Sequence, residues 1–255
     1  MHLSLSAYLL LAATGGVAGL VDAIAGGGGL VALPVLLNLG FPPALALGTN
    51  KLQSFVGTST AAGHYVRRGV VDLSACWLGV AFTFAGSLVG AWTVQQVDSG
   101  FLARLIPGLL VAILLYTVFR PEVGQADAPA GFGRRPFLAV VGLTLGFYDG
   151  FFGPGVGAFW TIAFVLGLGY NFKKATGYTK VMNLTSNLAA VLLFAGARRI
   201  DYPAALVMAA GQVGGARLGA GLVVKNGARF VRPIFLVVVA ATVARLVWVA
   251  LHRSP

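Results

Sequence analysis

Long apolar stretches, separated by short polar or glycine-rich breaks, run along almost the whole chain. They cover residues 6–24, 29–40, 46–66, 73–97, 101–119, 137–152, 156–169, 176–197, 203–222 and 232–251. Most reach the roughly 20 residues that an α-helix needs to cross the hydrocarbon core of a bilayer. The sequence lacks the alternating segments of about 10 residues that mark a transmembrane β-barrel. The pattern therefore predicts an all-α polytopic membrane protein.

Two of these stretches are too short to cross a bilayer comfortably. Residues 29–40 and 156–169 each follow a glycine-rich segment, at 26–29 and 153–157. Glycine weakens a helix, and unwound backbone at membrane depth is tolerated only where protein buries it or where it lines a cavity. We therefore expect about 8 spans plus short half-helices, with a broken or re-entrant first helix in each half of the chain.

The second half of the chain repeats the first. The segment GLVDAIAGGGGL at 19–30 matches GFYDGFFGPGVG at 146–157 with an offset of 127, and Lys51 matches Lys180 with an offset of 129. Self-similarity of this kind is the mark of duplicated structural units. The predicted organisation is an N-terminal transmembrane repeat at 1–121, a polar linker at 122–135 and a C-terminal transmembrane repeat at 136–255.

The composition narrows the class of protein. Hydrophobic residues make up 58% of the chain and charged residues only 10%, against roughly 25% charged residues in an ordinary globular domain. A soluble enzyme and a disordered protein are both excluded, and the lipid bilayer is the expected surrounding. The net charge is +11. The basic residues lie between apolar stretches and form no continuous basic face, so no nucleic-acid partner is expected. Without a metal-ligand cluster, nucleotide loop or nucleophile–base pair, we predict no enzyme, no metal and no cofactor.

The loop charges indicate the orientation of the halves. If 6–24 and 29–40 enter and return, the repeats are inverted, and ten basic residues share one side against four on the other. A single interrupted span at 6–40 would make the halves parallel and the split eight against six. Cytoplasmic loops carry the excess of Lys and Arg. The charges therefore favour inverted repeats, with the linker in the cytoplasm and both termini outside it. The larger set is Arg67, Arg68, Arg120, Arg134, Arg135, Lys173, Lys174, Lys225, Arg229 and Arg232.

Some charged residues lie within the apolar stretches and are candidates for function. An intramembrane charge is costly and usually faces a partner or a wet cavity. Lys51 and Lys180 stand out because the duplication places them at matching positions. The polar residues around them are Thr49, Asn50 and Gln53 in one half and Tyr178, Thr179, Asn183 and Asn187 in the other.

Ammonium and amide donors together suit the oxygens of an anion, so these residues are predicted to bind an anionic substrate. The alternative is that each lysine lies just outside the bilayer or pairs with an aspartate. The glycines Gly26, Gly27, Gly28, Gly153 and Gly155 would add backbone donors at a helix start. Their alternative role is close helix packing.

Three further charged residues each have two possible roles. Asp22 and Asp149 are predicted either to take part in coupling, by binding a proton or a cation, or to cap the broken helices or neutralise the lysines. Arg217 has no basic counterpart in the first half. It either reaches the substrate path or extends its side chain to the membrane surface.

The chain resembles the sulfite exporter TauE/SafE family of membrane permeases. The segments that carry the likeness are VDAIAGGGGLVALPVLLNLGFPPALALGTNKLQSFVGTSTA, YDGFFGPGVGAFWTIAFVLG and YTKVMNLTSNLAA, followed by GSLVGA and GARLGA. One departure is GYTK in the second half against GTNK in the first, so the role of Asn50 need not be duplicated. The resemblance implies transport of sulfur-containing oxyanions or organosulfonates, typically export, without a prosthetic cofactor.

Together these features predict a secondary transporter of a small anion in a bacterial plasma (inner) membrane, with alternating access around a site between the two repeats. An anion channel that uses the same positively lined pathway is the alternative. The partners expected are a small anionic substrate and lipid, and a homodimer is left open.

Overall fold

The computed structural model describes residues 3–96 and 126–227, together with 230, 233 and 237. These residues form an all-helical structure. Its eight helices are α1 (Leu5–Ala25), α2 (Gly28–Asn38), α3 (Pro43–Arg67), α4 (Trp77–Thr93), α5 (Arg134–Phe151), α6 (Val156–Leu168), α7 (Phe172–Gly196) and α8 (Tyr202–Asn226). The predicted span at 101–119 lies outside the described residues, as do most of 232–251 and residues 122–125 of the predicted linker.

The helix ends follow from local chemistry. The side chain of Asn171 caps α7 by accepting a hydrogen bond from the amide of Lys174, and Asp201 caps α8 in the same way. Both residue types are preferred at this position because a short side-chain oxygen satisfies an amide that the helix leaves unpaired. At the other end of a helix, Gly26 stops α1 with φ 76°, a left-handed conformation that glycine adopts at little cost.

The helices of the second half follow the same order as those of the first. In each half a first helix ends at a glycine-rich break, a short helix follows, and a 25-residue third helix precedes the fourth. The helix α5 begins at Arg134, within the range assigned to the linker. The short helices α2 and α6 have 11 and 13 residues, as the short apolar stretches predicted.

After the first glycine break the chain turns back on itself. The amide of Gly28 donates to the Asp22 carboxylate at 3.5 Å, and the Cα of Gly28 lies against the carbonyl of Ala18. In a continuous helix, residues ten apart would be separated by about 15 Å. The helix α2 therefore starts beside α1, and Leu36 near its end shares a core cluster with Leu11.

Glycines allow the first helix of one half to pack closely against the fourth helix of the other. Gly15 lies against Met208 and Gly19 against Gln212, so α1 and α8 run parallel. On the opposite side Gly146 lies against Thr83 and Gly150 against Ser87, so α4 and α5 also run parallel. Small residues four apart permit such an approach, and Gly86, Gly90, Gly215 and Gly219 make backbone contacts of the same kind.

The two long third helices cross in the centre and run antiparallel. Gly48 near the start of α3 lies against Arg199 just beyond the end of α7, while Gly177 near the start of α7 lies against Val70 and Val71 just beyond the end of α3. Farther along, Gly57 of α3 contacts Gln212 of α8, and Thr49 accepts a hydrogen bond from the amide of Asp201. The helix α3 therefore runs parallel to α8.

The distribution of buried and exposed residues is the reverse of that in a water-soluble protein. Polar and charged side chains of α3 and α7 are buried, whereas large apolar side chains on the outer helices are exposed, among them Leu9, Trp77, Val140 and Leu206. Exposed apolar patches of this extent are rare on soluble monomers. The helices α1 and α8 are both long and apolar enough to cross a membrane. The fold therefore places its polar groups along a central axis.

Candidate functional site

Two buried ion pairs cross between the halves of the chain. The ammonium of Lys51 lies 2.5 Å from the Asp149 carboxylate, and that of Lys180 lies 3.0 Å from the Asp22 carboxylate. Each lysine comes from a third helix and each aspartate from the first helix of the other half. Of the alternatives left open by the sequence, pairing of each lysine with an aspartate is the one the structure contains.

The two aspartates have different surroundings. Asp149 binds Lys51 through its carboxylate and through its backbone carbonyl, and the Ser186 hydroxyl donates to its second carboxylate oxygen. Asp22 binds Lys180 and receives a long hydrogen bond of 3.5 Å from the Gly28 amide. Exposure differs accordingly: 3% for the Asp149 side chain and 12% for that of Asp22. Asp149 is the more firmly held of the two.

A small cavity lies between these pairs, at the point where the two glycine breaks face each other. Its volume is about 20 Å³, which holds about one water molecule. The backbone of Gly26 at the first break contacts that of Gly157 in the first turn of α6. The lining residues are Asp22, Gly26, Gly29, Asn50, Lys51, Ser54, Asp149, Gly153, Gly155, Val156, Asn183 and Asn187.

Nine of these lining residues are among the residues predicted from the sequence. Asn50 accepts a hydrogen bond of 2.9 Å from Gln53, which lies one turn further along α3 and is fully buried. The side-chain oxygen of Asn183 has no hydrogen-bond partner within the described part of the chain. Buried polar atoms are nearly always paired. An unpaired amide oxygen in the cavity wall therefore leaves a group there for water or a ligand to bind.

Other predicted residues lie elsewhere. Thr179 shares a hydrogen bond of 3.2 Å with Thr161, and Thr49 holds the start of α8. Gly27 and Gly28 form the first break without lining the cavity, and Lys180 lies behind Asp22. Arg217 is exposed on α8 and does not reach the cavity.

The sequence interpretation did not select Ser54, Gly29, Val156 or Ser186. Ser54 and Asn183 occupy matching positions of the duplication, with an offset of 129, so the internal repeat contained a signal for Ser54. Ser186 lies three residues after Asn183 and shares its helical face. Small hydroxyl residues are common in membrane helices, and nothing in their spacing distinguishes Ser186 from its neighbours.

Tyr178 belongs to a second, larger cavity near the end of α3 and the starts of α4, α5 and α7. This cavity of about 390 Å³ is lined by Gly69, Val70, Asp72, Ala75, Arg134, Tyr170, Lys174 and Tyr178. The Tyr178 hydroxyl accepts a hydrogen bond from the Asp72 amide. Burial raises the pKa of Tyr170 to about 12, so its phenol stays neutral. Lys174 lies 4.2 Å from the centre of that ring, a cation–π distance.

The residues described by the structure contain no group of three or more His, Cys, Asp or Glu side chains that could hold a metal ion. The chemistry at the centre therefore consists of ammonium, carboxylate, amide and hydroxyl groups around a cavity between helix breaks. Such an arrangement in a helical bundle with an apolar exterior is typical of a membrane transporter.

Comparison with known proteins assigns the family. The model of the family described as sulfite exporter TauE/SafE matches residues 11–246. The chain belongs to this family. It is 42% identical to the probable membrane transporter protein YfcA of Escherichia coli K12 over 91% of this chain and 86% of that protein. It is 40% identical to a probable membrane transporter protein of Haemophilus influenzae over 97% of both chains.

A probable membrane transporter protein of Sinorhizobium is 38% identical over 95% of this chain and 92% of its own length. No solved structure gives a significant match. These relatives confirm the resemblance stated from the sequence. The chain is a membrane transporter, and its role is not enzymatic.

Proposed function

We propose that this protein is a secondary transporter that exports a small anion, a sulfur oxyanion or an organosulfonate, by alternating access between two inverted repeats. The observation that carries the proposal is the pair of crossed lysine–aspartate contacts around a cavity where two helix breaks meet. Paired breaks at matching positions of two repeats are the feature that points to a transporter's binding site. The sulfur-containing class of substrate comes from the name of the family.

The helix directions support inversion of the repeats. Helices α3 and α7 occupy matching positions and run antiparallel, whereas parallel repeats would make them run the same way. Helices α1 and α3 both run parallel to α8, which requires α2 to return across the same part of the membrane. With the basic loops of α3–α4 and α6–α7 in the cytoplasm, the linker is cytoplasmic and the N-terminus is outside.

The central cavity is too small to hold the proposed substrate in this conformation. A volume of about 20 Å³ is too small for an oxyanion with four or more heavy atoms, since one water molecule already needs about that much. Substrate binding therefore requires the halves to move apart on one side. The Lys51 ammonium and the amides of Asn50, Asn183 and Asn187 line the space that opens. A substrate oxyanion would compete with the Asp149 carboxylate for the Lys51 ammonium.

Transport by reconstituted protein tests the proposal. Proteoliposomes are loaded with sulfite, thiosulfate, sulfoacetate, taurine or acetate, and counterflow of each is measured. The charge-neutral double variants Lys51→Met with Asp149→Asn and Lys180→Met with Asp22→Asn remove a lysine without leaving an unpaired carboxylate. We expect both to lose anion flux. Lys225→Met, which changes an exposed lysine on α8, serves as the control, and full flux in both double variants would refute the site.

The same preparation separates a carrier from an anion channel. A carrier shows exchange that rises when substrate is present on the opposite side, because the loaded site returns faster than the empty one. A channel shows large unitary currents and no such stimulation. We expect stimulated exchange.

Orientation is tested with single cysteines. Cys76 is buried and is the one cysteine of the chain, so Cys76→Ala gives a cysteine-free background. A cysteine at Gln125 in the linker should react with a membrane-impermeant maleimide only after the cells are opened. One at Arg198, between α7 and α8, should react in intact spheroplasts. The reverse pattern would overturn the proposed topology. Crosslinking of the purified protein in lipid measures whether it forms a homodimer.

A further inference from the structure

Three charged side chains line the central cavity and a fourth, that of Lys180, lies behind Asp22, and the four formal charges sum to zero. Lys51 and Lys180 each carry one positive charge, and Asp22 and Asp149 each carry one negative charge. All four are buried. A neutral cluster of this kind is the arrangement a membrane interior tolerates, because an uncompensated buried charge is strongly unfavourable.

Binding of an anion disturbs this balance. A monovalent substrate would bring the cluster to a net charge of −1 in a closed, low-dielectric site. The cheapest correction is a proton on one of the two carboxylates, since a buried acid avoids the cost of charge by becoming neutral. The charges therefore predict that the occluded complex contains one proton more than the empty site. This step rests on the proposed function as an anion transporter.

The geometry selects Asp22 as the carboxylate that takes the proton. The Asp149 carboxylate accepts two short hydrogen bonds, one from Lys51 and one from Ser186, and Lys51 also donates to the Asp149 backbone carbonyl. Asp22 has one ammonium contact at 3.0 Å and one long amide contact. The duplication places Gly57 where the other half has Ser186, so Asp22 has no matching hydroxyl.

The ionisable groups around Asp22 are few. Lys180 of α7 contacts it directly, Lys51 of α3 and Asp149 of α5 line the same cavity, and Tyr65 of α3 donates its hydroxyl to the neighbouring Ala23 carbonyl. Helices α2 and α6 contain no ionisable side chain. Those of α8 are exposed: Tyr202, Arg217 and Lys225.

We propose that Asp22 takes up a proton together with a monovalent anion, so that the two cross the membrane as an electroneutral unit, which moves outward when the outward anion gradient exceeds the inward proton gradient. Protonation converts a repelling carboxylate in the cavity wall into a hydroxyl donor. It also leaves the charge of Lys180 uncompensated directly behind that wall, where it attracts the anion. Release of the anion restores the ion pair and expels the proton.

Proton and charge movement in the purified full-length protein test this assignment. The probe is isethionate, whose sulfonate stays charged throughout the working pH range, so any titration belongs to the protein. In weakly buffered detergent solution we expect about one proton taken up per isethionate bound. In proteoliposomes we expect isethionate flux that rises as the pH falls and moves no net charge.

Substitutions at Asp22 separate coupling from transport. Asp22→Asn imitates the protonated acid, so isethionate flux in this variant should become independent of pH and should move one negative charge per anion. Asp22→Glu keeps an acid at the position and should keep proton uptake, which preserves the test if the amide variant folds poorly. Asp127→Asn, which removes an exposed carboxylate paired with Lys174, should leave the stoichiometry of the wild type.

The outcomes are distinct. If the wild type moves neither isethionate nor sulfite, the proposed function fails and the coupling with it. If isethionate crosses with one net charge and no proton, only the coupling fails. If Asp22→Asn still takes up a proton while Asp149→Asn does not, the proton belongs to Asp149 and the assignment is overturned.

Discussion

The two lysine–aspartate pairs occupy matching positions of the duplicated chain, yet they differ in strength and accessibility. The Lys51–Asp149 pair is shorter, is supported by Ser186 and is nearly sealed. The Lys180–Asp22 pair is longer, lacks the serine and leaves Asp22 partly exposed. The two halves therefore contain one closely held pair and one more loosely held, more exposed pair.

Loss of a lysine should have the largest effect and should reveal the difference between the pairs. Lys51→Met leaves Asp149 buried without its cation, and breaking a buried pair in this way costs about 3–5 kcal/mol. Lys180→Met should cost less because water can reach Asp22. Unfolding in mixed micelles measures both. Equal losses would contradict the asymmetry, and adding Asp149→Asn to Lys51→Met should restore most of the stability.

A methyl group at the second glycine break should have the next largest effect. Gly153 has φ 94°, and a Cβ there would lie 2.7 Å from the Lys51 ammonium. Backbone strain alone costs of order 1–3 kcal/mol, so Gly153→Ala should lose at least about 2 kcal/mol, with anion flux impaired. Gly63→Ala in α3, where nothing lies within 4 Å, should instead stabilise the protein by about 0.4–1 kcal/mol. A harmless Gly153→Ala would show that the break tolerates side chains.

Removal of the serine hydroxyl tests what distinguishes Asp149 from Asp22. Ser186→Ala takes away a hydrogen bond to a buried carboxylate, which is worth about 1.5–3 kcal/mol. Ser59→Ala, whose hydroxyl bonds only the Phe55 carbonyl of its own helix, should change the free energy of unfolding by less than about 0.5 kcal/mol. If the two variants are equally stable, the serine does not strengthen the Asp149 site.

The smallest effect on stability is expected at Gln212 of α8, which packs against Gly19 of α1 and Gly57 of α3. Gln212 is buried, and both polar atoms of its side chain lack a partner among the described residues. The matching residue on the other side, Thr83, has a weak hydrogen bond to Met182. Gln212→Met should therefore be neutral or stabilising by up to about 1 kcal/mol. A clear loss of stability would indicate that water or substrate satisfies this amide in the membrane.

Much of the fold was predictable because membrane-spanning helices are encoded locally. The apolar stretch 6–24 corresponds to helix α1 (Leu5–Ala25) and the stretch 156–169 to helix α6 (Val156–Leu168). The match is close because backbone groups in lipid must form their hydrogen bonds within each helix. The two helix breaks were predictable because each lies in a glycine-rich segment, and glycine weakens a helix. The helix α5 begins at Arg134, two residues before the start predicted for the second repeat at 136.

The candidate site was only partly predictable. Polar residues within apolar helices are costly and usually have a functional role. This allowed the selection of Lys51, Asn50, Asn183 and Asn187. The assignment of each aspartate to its lysine could not be predicted, because Asp149 is 98 residues from Lys51 and Asp22 is 158 residues from Lys180 along the chain. The spacing of residues within a helix does not indicate which helix of the other half will pack against that helix.

The sequence alone determined that this chain is a helical membrane protein with charged residues inside its apolar helices, because polar groups in lipid are costly and long apolar stretches are therefore easy to recognise. Only the tertiary structure decided how the charges are used. Close packing through glycines brings the first helix of each half against the fourth helix of the other. That exchange places each lysine beside the opposite aspartate and leaves both aspartates in the cavity wall, with Asp22 the more exposed of the two.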